Sequence, residues 1–109
     1  MSKGLVVVYG GSGFLGSHVA DALSDAGYRV RIFDLVRSPY LRADQEMVVG
    51  DLMDQPAVMR AAEGCVYVYN FAGIADINDA KDRPMETATL NIVGNVHALE
   101  AAHHAGVQR

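Results

Sequence analysis

Leu5-Val6-Val7-Val8-Tyr9 runs directly into Gly10-Gly11-Ser12-Gly13-Phe14-Leu15-Gly16, so three glycines fall at Gly10, Gly13 and Gly16 behind an apolar strand. That spacing suits one kind of chemistry, the holding of a pyrophosphate. A glycine at the first position permits a tight turn, at the second lets a phosphate approach the backbone, and at the third lets a helix pack closely on the strand. The free N–H groups at the start of that helix face the phosphates, and the helix dipole favours their charge. A glycine-rich turn without a ligand is the plain alternative. Asp34 weighs against it, because this carboxylate closes a second apolar run, Tyr28 to Phe33, at a distance that suits hydrogen bonds from an adenosine ribose. Strand, glycine turn, helix, strand and acid in this order indicate dinucleotide binding.

These residues need a framework to hold them. Leu5 to Tyr9 is apolar at consecutive positions, the pattern of a strand buried on both faces of a parallel sheet. A helix is expected from about Gly13 to Ala26, with Phe14, Leu15, Val19, Ala22, Leu23 and Ala26 at helical spacing and Gly27 as its stop. A second strand is expected over Arg29–Phe33, a third over Met47–Val49, and a fourth over Val66–Asn70. Asp54 is placed to cap a helix from Pro56 to Ala62, which Gly64 ends. The last element is a long helix from Pro84 to Ala105, with Met85, Ala88, Thr89, Ile92, Val96, Leu99 and Ala102 along its apolar stripe and Gly106 after it. Right-handed crossovers then give an α/β, Rossmann-type parallel sheet in the order 3-2-1-4, flanked by helices.

The totals narrow the function classes. With 109 residues the chain has room for one domain, spanning 1–109. Its net charge of −4, with seven scattered arginines and only two lysines, offers no basic stripe, so no nucleic-acid partner is expected. No segment reaches the roughly 18 apolar residues of a membrane span. Cys65 is the only cysteine, which fits a reducing, cytoplasmic setting. His97 and His104 are seven apart on the last helix, but no carboxylate or thiol completes a metal-ligand set with them, and no metal is expected. His103 and His104 more simply complement the helix's negative end, and His18 reads as a surface or packing residue.

Taken together, the chain resembles the N-terminal portion of an extended short-chain dehydrogenase/reductase of the NAD-dependent epimerase/dehydratase family, whose members act on nucleotide sugars. Gly10 to Gly16 is similar to the family's glycine motif, which implies cofactor contacts at Gly10, Gly13, Phe14, Leu15 and Gly16. Asp34 stands where the family selects NAD. Gly50-Asp51-Leu52 resembles the block in which the Asp and the next residue contact adenine. Asn70-Phe71-Ala72-Gly73 looks like the fourth-strand motif that lines the cofactor, which implicates Phe71, Ala72 and Gly73. Pro84, Asn91 and Gly94 match the helix whose Asn helps hold the cofactor side of the site. Bland alternatives stay open: Asp51 could bond its own backbone, Phe71 could be core, Asn91 could be a satisfied buried amide, and the charged stretch Asp76 to Arg83 could be a solvated loop rather than a substrate mouth.

Two departures stand out. Tyr9 replaces the Thr that usually precedes the glycine motif, and Ala75 stands where some epimerases carry a Lys. The family's chemistry is performed by a Tyr with a Lys four residues later, plus a Ser or Thr on strand five. None of the five tyrosines here has such a Lys, so no catalytic residue is assigned and the chain is expected to be truncated before strand five. The resemblance implies hydride transfer between a sugar carbon and NAD in the parent enzyme, with a nucleotide sugar as its substrate. A non-catalytic dinucleotide sensor or scaffold is the alternative. An uncovered strand-four edge, or the long helix with small Gly94, Ala98, Ala101 and Ala105, is expected to drive self-association.

Overall fold

The computed structural model describes residues 3–71 and 84–106, and of the side chains within 84–95 only that of Met85. Four strands, β1 (Leu5–Tyr9), β2 (Arg29–Asp34), β3 (Gln45–Val49) and β4 (Cys65–Asn70), form one parallel sheet in the order β3-β2-β1-β4. Among the described residues three helices accompany them: α1 (Phe14–Asp25), α2 (Gln55–Ala61) and α3 (Pro84–Ala105). The expected topology is the observed one.

The alternation of β1 distributes the core over two layers, since successive side chains point to opposite faces. Leu5, Val7 and Tyr9 pack with Val58, Ala61 and Ala62 of the α2 segment and with Ala98 and Ala101 of α3. Val6 and Val8 face the other way, onto Ala20 of α1, Val30 and Ile32. β1 is therefore buried on both faces, all five of its residues being core. In register, Tyr9 lies beside Phe33 and Asn70, and Asp34 beside Val49, so the carboxyl ends of all four strands meet along one edge of the sheet.

Helix ends follow their expected chemistry. Asp54 accepts a hydrogen bond from the Ala57 N–H at the start of α2. Gly27, at φ +99°, ends α1 in the left-handed conformation that favours glycine. At the other end of α2, two terminal carbonyls find partners from the sheet: Arg31 donates to Ala61 O at 2.7 Å and the Tyr9 hydroxyl to Val58 O at 2.7 Å. Burial pushes the Tyr9 phenol well above its ordinary pKa, with Cys65 adding to the shift and Arg31 opposing it.

In both long helices the most deeply buried of the described side chains are small ones rather than the large apolar residues of the expected stripes, although Leu23 of the α1 stripe does pack on the core. In α1 the buried residues are Gly16, Ser17 and Ala20, while Phe14, Leu15 and Ala22 are exposed, as is Ala26 just beyond the helix. In α3 Ala98 and Ala101 are buried, whereas Met85, Val96 and Leu99 of the expected stripe are exposed. The reason is distance: where a helix lies close on a sheet or on a second helix, small residues fit the contact and large ones turn outward. Ala98 and Ala101, expected to serve close approach by a partner helix, instead serve the chain's own core.

Candidate dinucleotide site

A cleft of roughly 350 Å³ opens at the carboxyl ends of the strands, and every strand contributes to it. Gly10 and Gly13 follow β1, Phe33 to Val36 close β2, Gly50 to Leu52 follow β3, and Phe71 follows β4. Open parallel sheets place ligands at such an edge, where the strand order reverses; here the reversal lies between β1 and β4.

The glycines divide by the cause that requires them. Gly10 has φ +79° and donates its N–H to Phe33 O at 2.8 Å, which turns the chain sharply off β1. A Cβ at Gly16 would collide with the Gly10 carbonyl and come within 2.9 Å of the Gly11 Cα, so glycine is enforced there by helix-on-strand contact. Gly13 is different. Its φ is −77°, and a Cβ there would meet only Gly10 O at 3.8 Å. Among the described residues no contact requires glycine at this exposed N-cap of α1, which carries no side-chain cap and has no acidic residue in its first turn. Gly13 does line the cleft, where a methyl group would take up space beside the backbone.

Asp34 is held ready beside this turn. One carboxylate oxygen accepts from the Ser12 N–H at 3.1 Å and the other from the Val36 N–H at 3.3 Å. Ser12 in turn donates its hydroxyl to Val36 O at 2.6 Å, locking the glycine turn to the loop behind β2. A carboxylate has about four acceptor positions, so the two bonds from these described residues leave it capacity to accept from a ligand. Across the cleft, Gly50 donates to Asp34 O at 2.9 Å and sits against the Phe33 ring, where a Cβ would come within 2.8 Å. Asp51 does bond its own backbone, accepting from the Met53 N–H at 2.9 Å, and still lines the cleft.

Of the residues singled out from sequence, the structure brings Gly10, Gly13, Asp34, Asp51, Leu52 and Phe71 to one cleft. Phe14 and Leu15 are exposed on the first turn of α1 and Gly16 is buried beneath it, so these three do not form the cleft wall. Ala72, Gly73, Ala75 and the charged stretch 76–83 lie outside the described residues, as does the side chain of Asn91. Sequence reasoning missed Phe33, Leu35 and Val36 as lining residues. Leu35 and Val36 did leave a signal: two large apolar residues just past a strand end, 66% and 60% exposed. The hydroxyl of Tyr9 also makes a tie, though to α2 rather than to a loop of the site.

The sequence profile of the NAD dependent epimerase/dehydratase family matches residues 6–109. The chain belongs to this family. It is 34% identical to a 3-beta-hydroxysteroid dehydrogenase of Mycolicibacterium neoaurum, over 97% of this chain and 30% of that protein. It is 33% identical to a UDP-glucose 4-epimerase of Yersinia pestis, over 94% of this chain and 34% of that protein. Among solved structures it superimposes on UDP-glucose 4-epimerase from Brucella ovis in complex with NAD, with a TM-score of 0.86, 29% identity, and coverage of 95% of this chain and 33% of that one. The Thermus thermophilus UDP-glucose 4-epimerase complex with NAD gives a TM-score of 0.87 at 28% identity, over 94% and 35% of the two chains. The family member therefore spans about a third of the length of the relatives it matches, and corresponds to their N-terminal portion.

Proposed function

We propose that this chain binds NAD in the cleft at the strand ends, as the cofactor-holding portion of an enzyme that moves hydride to and from an alcohol carbon of a nucleotide sugar. Gly13 carries the reading: it is a glycine that the protein's own packing leaves unexplained, at an uncapped helix start facing the cleft. The pyrophosphate lies over Gly10 and Gly13, at the start of α1. Asp34 takes the adenosine ribose hydroxyls, and Asp51 and Leu52 flank adenine. Phe71, Ala72, Gly73 and Asn91 complete the cofactor side of the site. When bound, NAD supplies the hydride acceptor; the chain's own residues position and desolvate it.

The charge on Asp34 sets the preference between cofactors. A 2′-phosphate would bring a second negative charge against the carboxylate, whereas a 2′-hydroxyl can donate to it. Calorimetric titration of the chain with NAD and NADP tests this, with tighter NAD binding expected and tighter NADP binding refuting it. The 109 residues alone are expected to bind without turning over a nucleotide sugar, since they hold no Tyr with a Lys four residues on.

A second substrate reading rests on the steroid-dehydrogenase relative. Both readings begin with removal of hydride from a secondary alcohol. Epimerisation of a UDP-hexose by the protein that carries this chain supports the first, and NAD reduction by a 3β-hydroxysteroid supports the second. Self-association through the outward face of α3 is supported by the exposure of Met85, Val96 and Leu99. A cytoplasmic location is supported by the free, buried Cys65.

A further inference from the structure

His97 sits half-buried on α3, and its Nδ1 lies 2.8 Å from Leu52 O, a contact across 45 residues of sequence. A carbonyl only accepts, so the ring must carry its proton on Nδ1. Leu52 lines the cleft while His97 does not, so His97 acts on the site through the segment it holds. That segment is also held by packing, since the Leu52 side chain is buried in the core with Tyr9, Phe33 and Ala98; His97 adds a hydrogen bond to its backbone. The segment enters through the Gly50 N–H on Asp34 O, folds on itself through Met53 N–H to the Asp51 carboxylate and Asp54 N–H to Asp51 O, and leaves into α2. One turn further along α3, Glu100 accepts from the Gln55 side chain, a second tie between the same two parts of the chain.

We propose that His97 is a positioning residue for the adenine wall: it fixes the 50–54 segment to α3, and so sets the affinity for the adenosine half of the cofactor. This rests on the NAD-binding reading above, and it goes further by tying that affinity to a helix outside the cleft. The connection runs from the glycine turn outward through hydrogen bonds joined by short stretches of chain. Ser12 reaches Asp34, Asp34 reaches Gly50, and two residues on Leu52 reaches His97. A shift of α3 relative to the sheet then moves the adenine wall with it.

The test compares His97→Leu, which cannot donate, with His97→Asn, whose Nδ2 lies close to where the ring Nδ1 does. NAD and AMP are titrated separately, and amide exchange is followed at Met53 and Asp54. His97→Leu should weaken both ligands by the same factor, about threefold to tenfold for one lost hydrogen bond, and accelerate exchange at both amides. His97→Asn should restore affinity and protection. Unchanged exchange and affinity in His97→Leu, equal losses in both variants, or weakened NAD with unaltered AMP would each overturn the proposal. If the unsubstituted chain binds no NAD, the functional reading fails, and amide exchange still decides whether His97 holds the wall. A measurement free of substitution completes the test: ring ¹⁵N shifts of neutral His97 must report the proton on Nδ1, and a proton on Nε2 refutes the contact.

Discussion

Gly13→Ala and Gly16→Ala add the same methyl group three residues apart, and the structure gives them opposite consequences. At Gly16 the new Cβ would meet backbone atoms of Gly10 and Gly11, which no rotamer change can clear. Overpacking of this kind costs about 1–3 kcal/mol, equivalent to a fall in Tm of roughly 5–20 °C for a domain of this size. At Gly13 the nearest atom is at 3.8 Å and φ suits any residue. Alanine is a poorer N-cap than glycine by roughly 0.5–1 kcal/mol, and it stiffens the unfolded chain by about 0.4–1 kcal/mol. These effects oppose one another and leave at most about 0.6 kcal/mol, so Tm should move by no more than about 5 °C. Binding is where Gly13→Ala should tell. A methyl group beside the phosphates displaces a charge-assisted hydrogen bond worth about 1.5–3 kcal/mol, a loss of about ten- to hundredfold in NAD affinity. Thermal melts and calorimetric titration of the two variants decide the matter. Wild-type NAD affinity in Gly13→Ala, or a loss of stability matching that of Gly16→Ala, would refute the assignment of Gly13 to ligand approach.

Asp34→Ala should narrow the NAD-over-NADP preference measured by titration. It should also lower Tm, because the Ser12 and Val36 N–H groups lose their shared acceptor. Tyr9→Phe keeps the ring against Phe33 but strips Val58 O of its buried donor, so urea denaturation should show a loss of about 1–3 kcal/mol. The same variant reports on alkaline stability. The folded phenol titrates above its unfolded value of 10.0, so its stabilisation is complete below pH 10 and declines as pH rises beyond it. At pH 11 the wild type should have lost about 1.4 kcal/mol that Tyr9→Phe does not lose. Leu99→Glu, at a residue 70% exposed on α3, should shift sedimentation toward monomer while leaving Tm within about 3 °C, as surface substitutions do.

The parts legible in the sequence are those in which one local rule decides. β1 reads as a doubly buried strand because its apolar residues are consecutive, and α3 has the bounds its flanking Pro84 and Gly106 announce. The strand order follows from the handedness of crossovers, and the glycine spacing with Asp34 locates half of the cleft before any coordinates are known. Which face of a helix is buried is another matter. Apolar periodicity weighs residues by hydrophobicity, but a closely approached helix selects by size, and so Ala20, Ala98 and Ala101 are inside while Leu15, Val96 and Leu99 are outside. The same blindness hid the outer wall of the site.

That wall depends on hydrogen bonds between residues far apart in sequence, and no spacing rule encodes them. His97 has the look of an ordinary helix residue until its ring is found on Leu52 O. Tyr9 has the look of a departure from a motif until its hydroxyl is found on α2. In both cases a polar side chain from one layer satisfies a backbone carbonyl of another, and in both the accepting segment flanks the cleft or continues from it. The two ties lie along the connection from β3 through α2, His97 before the helix and Tyr9 at its middle residue, Val58. The Gly50–Asp54 segment is thus tied to α3 through His97 and to β2 through the Gly50 N–H on Asp34 O, with Leu52 buried in the core between them and the turn around Asp51 closing it. A wall so held can be loosened by substitutions that never touch the ligand, which is why variants at His97 and Tyr9 belong in the same binding experiments as those at Gly13 and Asp34.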